Sequence, residues 1–422
     1  RRVRAFKCGP DFLDPLWLAL ATGAPVHSLD LWMTGEADCR ERLRAAAADC
    51  DLLIVEGVMG LFDGTPSAAD LSQRFGLPVL AVIDAHAMAG TFGALAYGLQ
   101  NFRPGLPWAG VLANRVGSER HAGMLKEALR EPSRWLGALP RDAGFTLPER
   151  HLGLVVADEL GDAMARLDAV ADVLAGTLLG QLDVAQLPQV RFDAAPPVAP
   201  VAPLLAGSTI AIARDAAFSF IYPANLDVLG ALGARLSFFS PLAGDALPAC
   251  DAVWLPGGYP ELHAEALSRC EPMRAELAAH VAAGKPVWAE CGGMMALFDE
   301  LATHDDGAGD RNVHRLWGLL PGRVTMQKRL AGLGPQQLQL GGHALRGHTF
   351  HYSRCETPLA PVARTARPGT TQAVGAQGGE ALYVHGPVRA SYFHAWFASS
   401  PEATACLFGA MPIELQSHAP HE

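Results

Sequence analysis

Val287-Trp288-Ala289-Glu290-Cys291-Gly292-Gly293-Met294-Met295 runs a short apolar strand into a cysteine, then two glycines, then the start of an apolar helix. This is the pattern of a nucleophile elbow. Small residues permit a sharp strand-to-helix turn that lifts the Cys291 side chain out of the sheet. The Gly292 N–H would point into the same space, where a helix start favours both a thiolate and a developing oxyanion. An elbow of this kind narrows the chemistry to acyl transfer through a thioester.

Working outward, strands and helices alternate around the elbow. Thr209–Arg214, Arg235–Phe239 and Ala252–Leu255 read as strands, and Ala224–Leu232 and Pro272–Ala283 as helices. Beyond about residue 310 the strands become less regular. The first 185 or so residues show the same alternation: strands at Val3–Lys7, Asp51–Glu56, Pro78–Asp84 and Trp108–Asn114, with helices such as Ala37–Ala48 and Gly90–Gln100 between them. Apolar strands followed by helices indicate parallel sheets covered on both faces. The Pro/Ala-rich stretch VRFDAAPPVAPVAPLLA lacks periodicity and reads as a connector. The expected fold is α/β, with two open parallel-sheet domains spanning 1–188 and 207–422 and a linker over 189–206.

At 422 residues and 50% hydrophobic content the chain has material for two large cores. No apolar run is long enough for a membrane-spanning helix, and no signal peptide is visible. The net charge of −10 argues against non-specific nucleic-acid binding. Eight scattered cysteines without a CxxC pair fit a reducing cytoplasm better than a disulfide framework or a zinc site. Arg1 to Lys7 reads as a strand already in progress, without an initiating Met, so the chain is expected to lack an N-terminal piece.

Two further stretches support Cys291 as a nucleophile. Leu255-Pro256-Gly257-Gly258-Tyr259-Pro260-Glu261 ends a strand in a glycine pair, whose backbone N–H groups can supply a second oxyanion donor. Ser391-Tyr392-Phe393-His394-Ala395-Trp396-Phe397 reads as an apolar strand carrying a histidine. A cysteine with a histidine distant in sequence is the arrangement expected for thiol catalysis. In the first half, Lys7-Cys8-Gly9-Pro10-Asp11-Phe12-Leu13-Asp14-Pro15 and Glu56-Gly57-Val58-Met59-Gly60-Leu61-Phe62-Asp63-Gly64 place four carboxylates after two strands. Carboxyl ends of parallel strands are where open α/β sheets bind ligands, and hard oxygens there suit Mg²⁺ bridging nucleotide phosphates.

LPGGYPE, AECGG and the late YFH resemble class I glutamine amidotransferases of the cobyrinate-synthase type. With KCGPDFLDP, VEGVMGLFDG and NRVGS added, nearly the whole chain resembles the cobyrinate and hydrogenobyrinate a,c-diamide synthase family. The resemblance implies a dethiobiotin-synthetase-like nucleotide domain joined to a glutaminase. It implies that Cys291 attacks the glutamine amide, that His394 raises its nucleophilicity, and that Gly257, Gly258 and Gly292 form the oxyanion site. It places Asp11, Asp14, Glu56 and Asp63 around Mg-ATP and the substrate carboxylate, with Glu56 and Asp11 as Mg²⁺ ligands and Asn114 at the adenine. ATP and L-glutamine are the implied co-substrates, a corrinoid the acceptor, and a homodimer a family-level expectation. The reaction implied is amidation of the a and c acetate carboxylates through an acyl phosphate.

Two departures stand out. Most class I glutaminases carry a glutamate two residues after the histidine, and Trp396 stands there instead, so the third triad member is unassigned. The family also carries a glycine-rich phosphate loop before its first KxGPD strand, and no G-x-x-x-x-G-K-[ST] occurs in this sequence. The loop is expected on the missing N-terminal piece, and the 422 residues alone are expected to be weak or inactive as a synthetase. The cluster Arg346-Gly347-His348-Thr349-Phe350-His351-Tyr352-Ser353 also looks like the family, facing either the ring substrate or a domain interface. Alternatives are an amidotransferase on another tetrapyrrole, of the nickel sirohydrochlorin a,c-diamide or cobyric acid synthase type, and a non-catalytic tetrapyrrole-binding protein.

Overall fold

The computed structural model describes residues 1–142, 144, 149–150, 153–154, 161–194, 201–304, 311–370 and 378–410. The chain forms two compact units, Arg1–Pro197 and Val198–Glu422. Part of the Pro/Ala-rich connector, 195–200, lies outside the described residues. On its far side Leu205 is buried, and Val201 and Leu204 pack with it against the second unit's core.

The first unit holds two parallel three-stranded sheets rather than one. Strands β1 (Val3–Cys8), β2 (His27–Leu29) and β3 (Leu52–Glu56) form the first, in the order β2-β1-β3. Strands β4 (Val79–Asp84), β5 (Trp108–Val116) and β6 (Trp135–Pro140) form the second, in that order. Helices Glu36–Asp49 and Ala68–Phe75 bury Cys39, Leu43, Leu71 and Phe75 against Phe6 and Leu29 of the first sheet. Phe92 and Ala96 of helix Gly90–Asn101 pack with Ile83, Val111 and Trp135 of the second. The edge strands β3 and β4 leave Ile54 46% and Val82 57% exposed, although both are strand residues of apolar type. A two-residue pairing of β7 (Glu149–Arg150) with β8 (Gly153–Leu154) follows.

The second unit is built on a seven-stranded sheet of β9 (Thr209–Ala213), β10 (Arg235–Phe239), β11 (Ala252–Leu255), β12 (Val287–Glu290), β19 (Ala363–Arg364), β20 (Ala381–His385) and β21 (Val388–Ser391). Its order is β10-β9-β11-β12-β21-β20-β19. The five strands from β10 to β21 run parallel, and β20 and β19 add antiparallel pairs. A four-stranded sheet joins β13 (Phe298–His304), β14 (Arg311–Arg315), β15 (Leu320–Met326) and β18 (Ser353–Glu356). A three-stranded one joins β16 (Gly332–Leu340), β17 (His343–His351) and β22 (His394–Ala395). All four residues of strand β12 are buried because it is flanked on both edges and covered on both faces, which is why VWAE is a continuous run rather than an alternating one.

One expected element differs. The stretch Ser391–Phe397, read as a single apolar strand, divides after Ser391: β21 ends there, and His394 begins β22 in another sheet. Apolarity marked burial correctly, since Phe393, Ala395, Trp396 and Phe397 are all fully buried. It could not mark the change of sheet, because a strand entering a new sheet inside the core stays apolar throughout.

Candidate active sites

Cys291 has φ +45° and ψ −106°, a torsion pair that non-glycine residues seldom adopt. Its N–H donates to Ser391 O at 2.8 Å, which anchors the turn on β21. Helix Gly292–Leu297 follows immediately, with every residue buried. The glycines are required by close approach. A Cβ on Gly292 would stand 2.8 Å from Gly258 O, and one on Gly293 would stand 2.1 Å from Leu255 O. A Cβ on Gly257 would stand 2.4 Å from His394 Cε1. The elbow, the glycine pair and the His394 ring therefore meet at one place, and Cys291, His394, Gly257, Gly258 and Gly292 are brought together.

His394 is 1% exposed. Burial holds it well below the usual imidazole range, and the neighbouring His348 and His351 add to that. Its ring lies 5.0 Å from that of His348, whose Nε2 is 2.7 Å from Tyr222 Oη. Burial pushes the Cys291 thiol far up as well, and Glu261, Glu380 and Glu290 reinforce this, while the Gly292 N–H opposes it. Burial thus favours the neutral thiol and the neutral imidazole over the ion pair.

Three carboxyl groups surround this centre that the sequence reading left without roles. Glu290, the last residue of β12, is 2% exposed and accepts from Trp288 Nε1 at 2.6 Å. Its Oε2 lies 3.9 Å from His394 Nδ1. Burial raises its pKa to about 8. Burial also raises the partly buried Glu261 carboxyl, to about 7. Glu380 is held by His351 Nε2 at 3.1 Å and Thr349 Oγ1 at 2.8 Å. Burial works upward on it, yet the His351 hydrogen bond and charge outweigh burial and leave it lowered. The cluster 346–353 therefore faces the thiol centre through His348 and His351.

The signal for Glu290 was present in the sequence as an acid inside an otherwise apolar strand. Trp396, at the usual place of the third triad residue, is fully buried and packs edge-on against Tyr222 with ring centroids 5.0 Å apart.

In the first unit the carboxylates gather on a lysine. Lys7 is 3% exposed, and its ammonium lies 3.7 Å from Asp11, 3.5 Å from Glu56 and 3.0 Å from Gly57 O. It also donates to Asp14 Oδ2. Burial alone would lower the Lys7 pKa, but the Asp14 hydrogen bond and the charges of Glu56, Asp14 and Asp11 raise it overall. Burial raises Asp11 and Glu56, with their like-charged neighbours adding to it and Lys7 opposing. The parallel register of β1 and β3 sets Lys7 beside Glu56.

Asp63 sits in its own turn, accepting from Gly60 N at 3.0 Å. Asn114 lies in β5 opposite Asp84, the last residue of β4, and its Oδ1 accepts from Arg115 N. Asp11, Asp14 and Glu56 thus share one centre, whereas Asp63 and Asn114 stand in separate local arrangements.

Among the described residues no three His, Cys, Asp or Glu side chains close on a point as a metal cage. Glu56 Oε2 is a buried atom whose near partner is the Lys7 ammonium at 3.5 Å, with no hydrogen bond of good geometry. A carboxylate oxygen so placed suits Mg²⁺ in its usual protein setting, where one or two carboxylates meet an ion carried mainly by phosphates.

Family models place a CobQ/CobB/MinD/ParA nucleotide-binding domain on residues 1–155 and a CobB/CobQ-like glutamine amidotransferase domain on residues 209–402. The chain is 56% identical to the hydrogenobyrinate a,c-diamide synthase of Stutzerimonas stutzeri, over 96% of this chain and 91% of that one. It is 54% identical to the protein of the same name from Pseudomonas aeruginosa, over 96% and 90%. It is 48% identical to the cobyrinate a,c-diamide synthase of Herminiimonas arsenicoxydans, again over 96% and 90%. With an α/β nucleotide-binding half, a glutaminase-type elbow and relatives matching over nearly their full length, the chain belongs to the hydrogenobyrinate and cobyrinate a,c-diamide synthase family.

Proposed function

We propose that the protein amidates the a and c acetate carboxylates of hydrogenobyrinate or cobyrinate in cobalamin biosynthesis, using ATP and glutamine. The observation that carries this reading is 56% identity to a hydrogenobyrinate a,c-diamide synthase over 96% of the chain. The meeting of Cys291, His394 and the two glycine loops supports the glutaminase half.

A carboxylate is a poor electrophile for ammonia. Phosphorylation by ATP gives an acyl phosphate with a good leaving group, and ammonia then displaces phosphate to give the amide. The first unit binds the reactants of that step: Asp11, Asp14 and Glu56, set by Lys7, form its polar centre. Asp63 and Asn114 complete the nucleotide and carboxylate contacts, with Asn114 at the adenine. Mg²⁺, held by Glu56 and Asp11, would neutralise phosphate charge during transfer.

In the second unit the Cys291 thiol gives its proton to His394 and attacks the glutamine amide carbon. The N–H groups of Gly292 and of the Gly257–Gly258 loop take the oxyanion. Ammonia leaves with the proton from His394, and water then hydrolyses the thioester to glutamate. Supplying ammonia from bound glutamine avoids its protonation in water.

The test is a mass measurement on the full-length enzyme with hydrogenobyrinate and with cobyrinate. Two successive glutamine- and ATP-dependent amidations are expected. Cys291→Ala should lose the use of glutamine and keep amidation when ammonium is added. Glutamine hydrolysis without amidation of either ring would move the acceptor to another molecule.

A further inference from the structure

The position two residues after His394 holds Trp396, so the residue that orients the imidazole must come from elsewhere. Glu290 meets the requirement. It ends β12, it immediately precedes Cys291, and its Oε2 stands 3.9 Å from His394 Nδ1 with both side chains shut away from solvent. Its other oxygen is fixed by Trp288 Nε1 at 2.6 Å, so the carboxyl has one orientation. The register of β12 on β21 pairs Glu290 with Ser391, three residues before His394. The strand pairing that builds the elbow therefore also sets the distance from carboxyl to ring. Glu380 cannot take this part, since His351 and Thr349 already hold it.

We propose that Glu290 is the positioning residue of the glutaminase centre, holding the Nδ1 side of His394 toward its carboxylate and countering the charge on the ring when it takes the Cys291 proton. The proposal rests on the reading of Cys291 as nucleophile and His394 as base. In the step it supports, the Cys291 S–H bond breaks and its proton passes to the imidazole. The sulfur electron pair forms the bond to the amide carbon, and the carbonyl π pair moves to oxygen. A positive ring then faces Glu290. The ionised carboxylate stabilises it, whereas the protonated acid does so far less.

The other groups facing the ring, His348 and His351 on β17, are cationic when charged and would oppose it. Those facing Glu290 itself are Trp288, Trp254 and the Ala395 N–H, all donors. Those facing Cys291 are Glu261, Glu380 and Tyr392. Because burial raises Glu290 to about 8, the competent carboxylate form should appear as pH rises through that value.

The test is glutamate release from glutamine by the full chain, followed from about pH 5.5 to about pH 9.5, for wild type, Glu290→Gln, Glu290→Asp and Cys291→Ala. Wild type is expected to show a rising limb near pH 8. Glu290→Gln should lose about 100-fold in kcat, with KM for glutamine little changed and the limb gone. Glu290→Asp, which keeps the charge on a shorter arm, should recover part of the rate and a displaced limb. Unfolding by heat reports whether each variant is folded. A Glu290→Gln protein with wild-type kcat and profile overturns the proposal. So does a loss of rate with an unchanged profile and no recovery in Glu290→Asp. If Glu290→Gln does not fold, an unmoved limb in Glu290→Asp overturns it. Glutamate release by Cys291→Ala above background would instead refute the nucleophile reading itself, an outcome separable from the Glu290 variants.

Discussion

The ammonium of Lys7 lies 3.5 Å from the carboxylate of Glu56, across a strand pairing that sets the two residues directly side by side. Among the described residues Lys7 is the only cation paired with Asp11, Asp14 and Glu56, so those three carboxylates depend on it for charge balance. Lys7→Met would leave them facing one another. Because they are partly open to solvent, the expected loss of stability is about 2–3 kcal/mol, below that for a fully buried network. Urea unfolding measures it. An unchanged midpoint would mean that water, not Lys7, balances the carboxylates.

Glu290 gives the second unit a pH-dependent stability of defined sign. Its folded pKa is about 8 and its unfolded one about 4.5. Between those values the folded chain holds one more proton than the unfolded chain. Stability from this group is therefore greatest at low pH and falls as pH rises, by at most about 1.4 kcal/mol per pH unit. Glu290→Gln removes that slope. Unfolding of the two proteins at about pH 5 and about pH 8 should show the variant gaining on wild type at the higher pH. A constant difference would place the Glu290 pKa outside that window.

The glycine pair offers a contrast between two neighbouring substitutions. Gly257→Ala puts a methyl 2.4 Å from His394 Cε1, a side chain that can shift. Gly258→Ala puts one 2.1 Å from Ala217 O, a backbone atom that cannot shift without moving its strand connection. The first should cost glutamine hydrolysis more than tenfold with a melting temperature near wild type. The second should destabilise by roughly 1–3 kcal/mol. Equal effects of both on melting would count against a specific displacement of the ring.

Restoring the usual spacing should fail. Trp396→Glu would place a carboxylate in the fully buried site of an indole packed on Tyr222. The expected result is a loss of several kcal/mol of stability and no gain in glutamine hydrolysis. A stable Trp396→Glu protein with higher kcat would show that this position still reaches the ring.

Much of this could be read from sequence, for reasons that differ by element. The elbow was legible because sterics demand small residues at a sharp turn, and Gly292 and Gly293 do lie within 3 Å of facing backbone once a Cβ is added. The parallel strands were legible as apolar runs. Lys7 stood in a quoted motif without a role, because its meaning arises only when β1 and β3 pair and bring Glu56 beside it. Asp63 looked equivalent to Glu56 in the same loop. Only the folded turn shows it bonded to Gly60. Glu290 was missed because its partner lies more than a hundred residues away, and spacing rules search near the histidine.

Cys291 follows β12 of the seven-stranded sheet, whereas His394 opens β22 of the three-stranded one. On the histidine side, only Tyr392 and Phe393 tether the two sheets, between Ser391 and His394. One residue added to that tether would keep the composition of both sheets, yet slip β22 by one position on β17, carrying the ring about 3.3 Å along its strand and turning it to the opposite face. Ammonia supply can therefore be silenced by a change of length alone, a lesion invisible to any inspection of which residues are present.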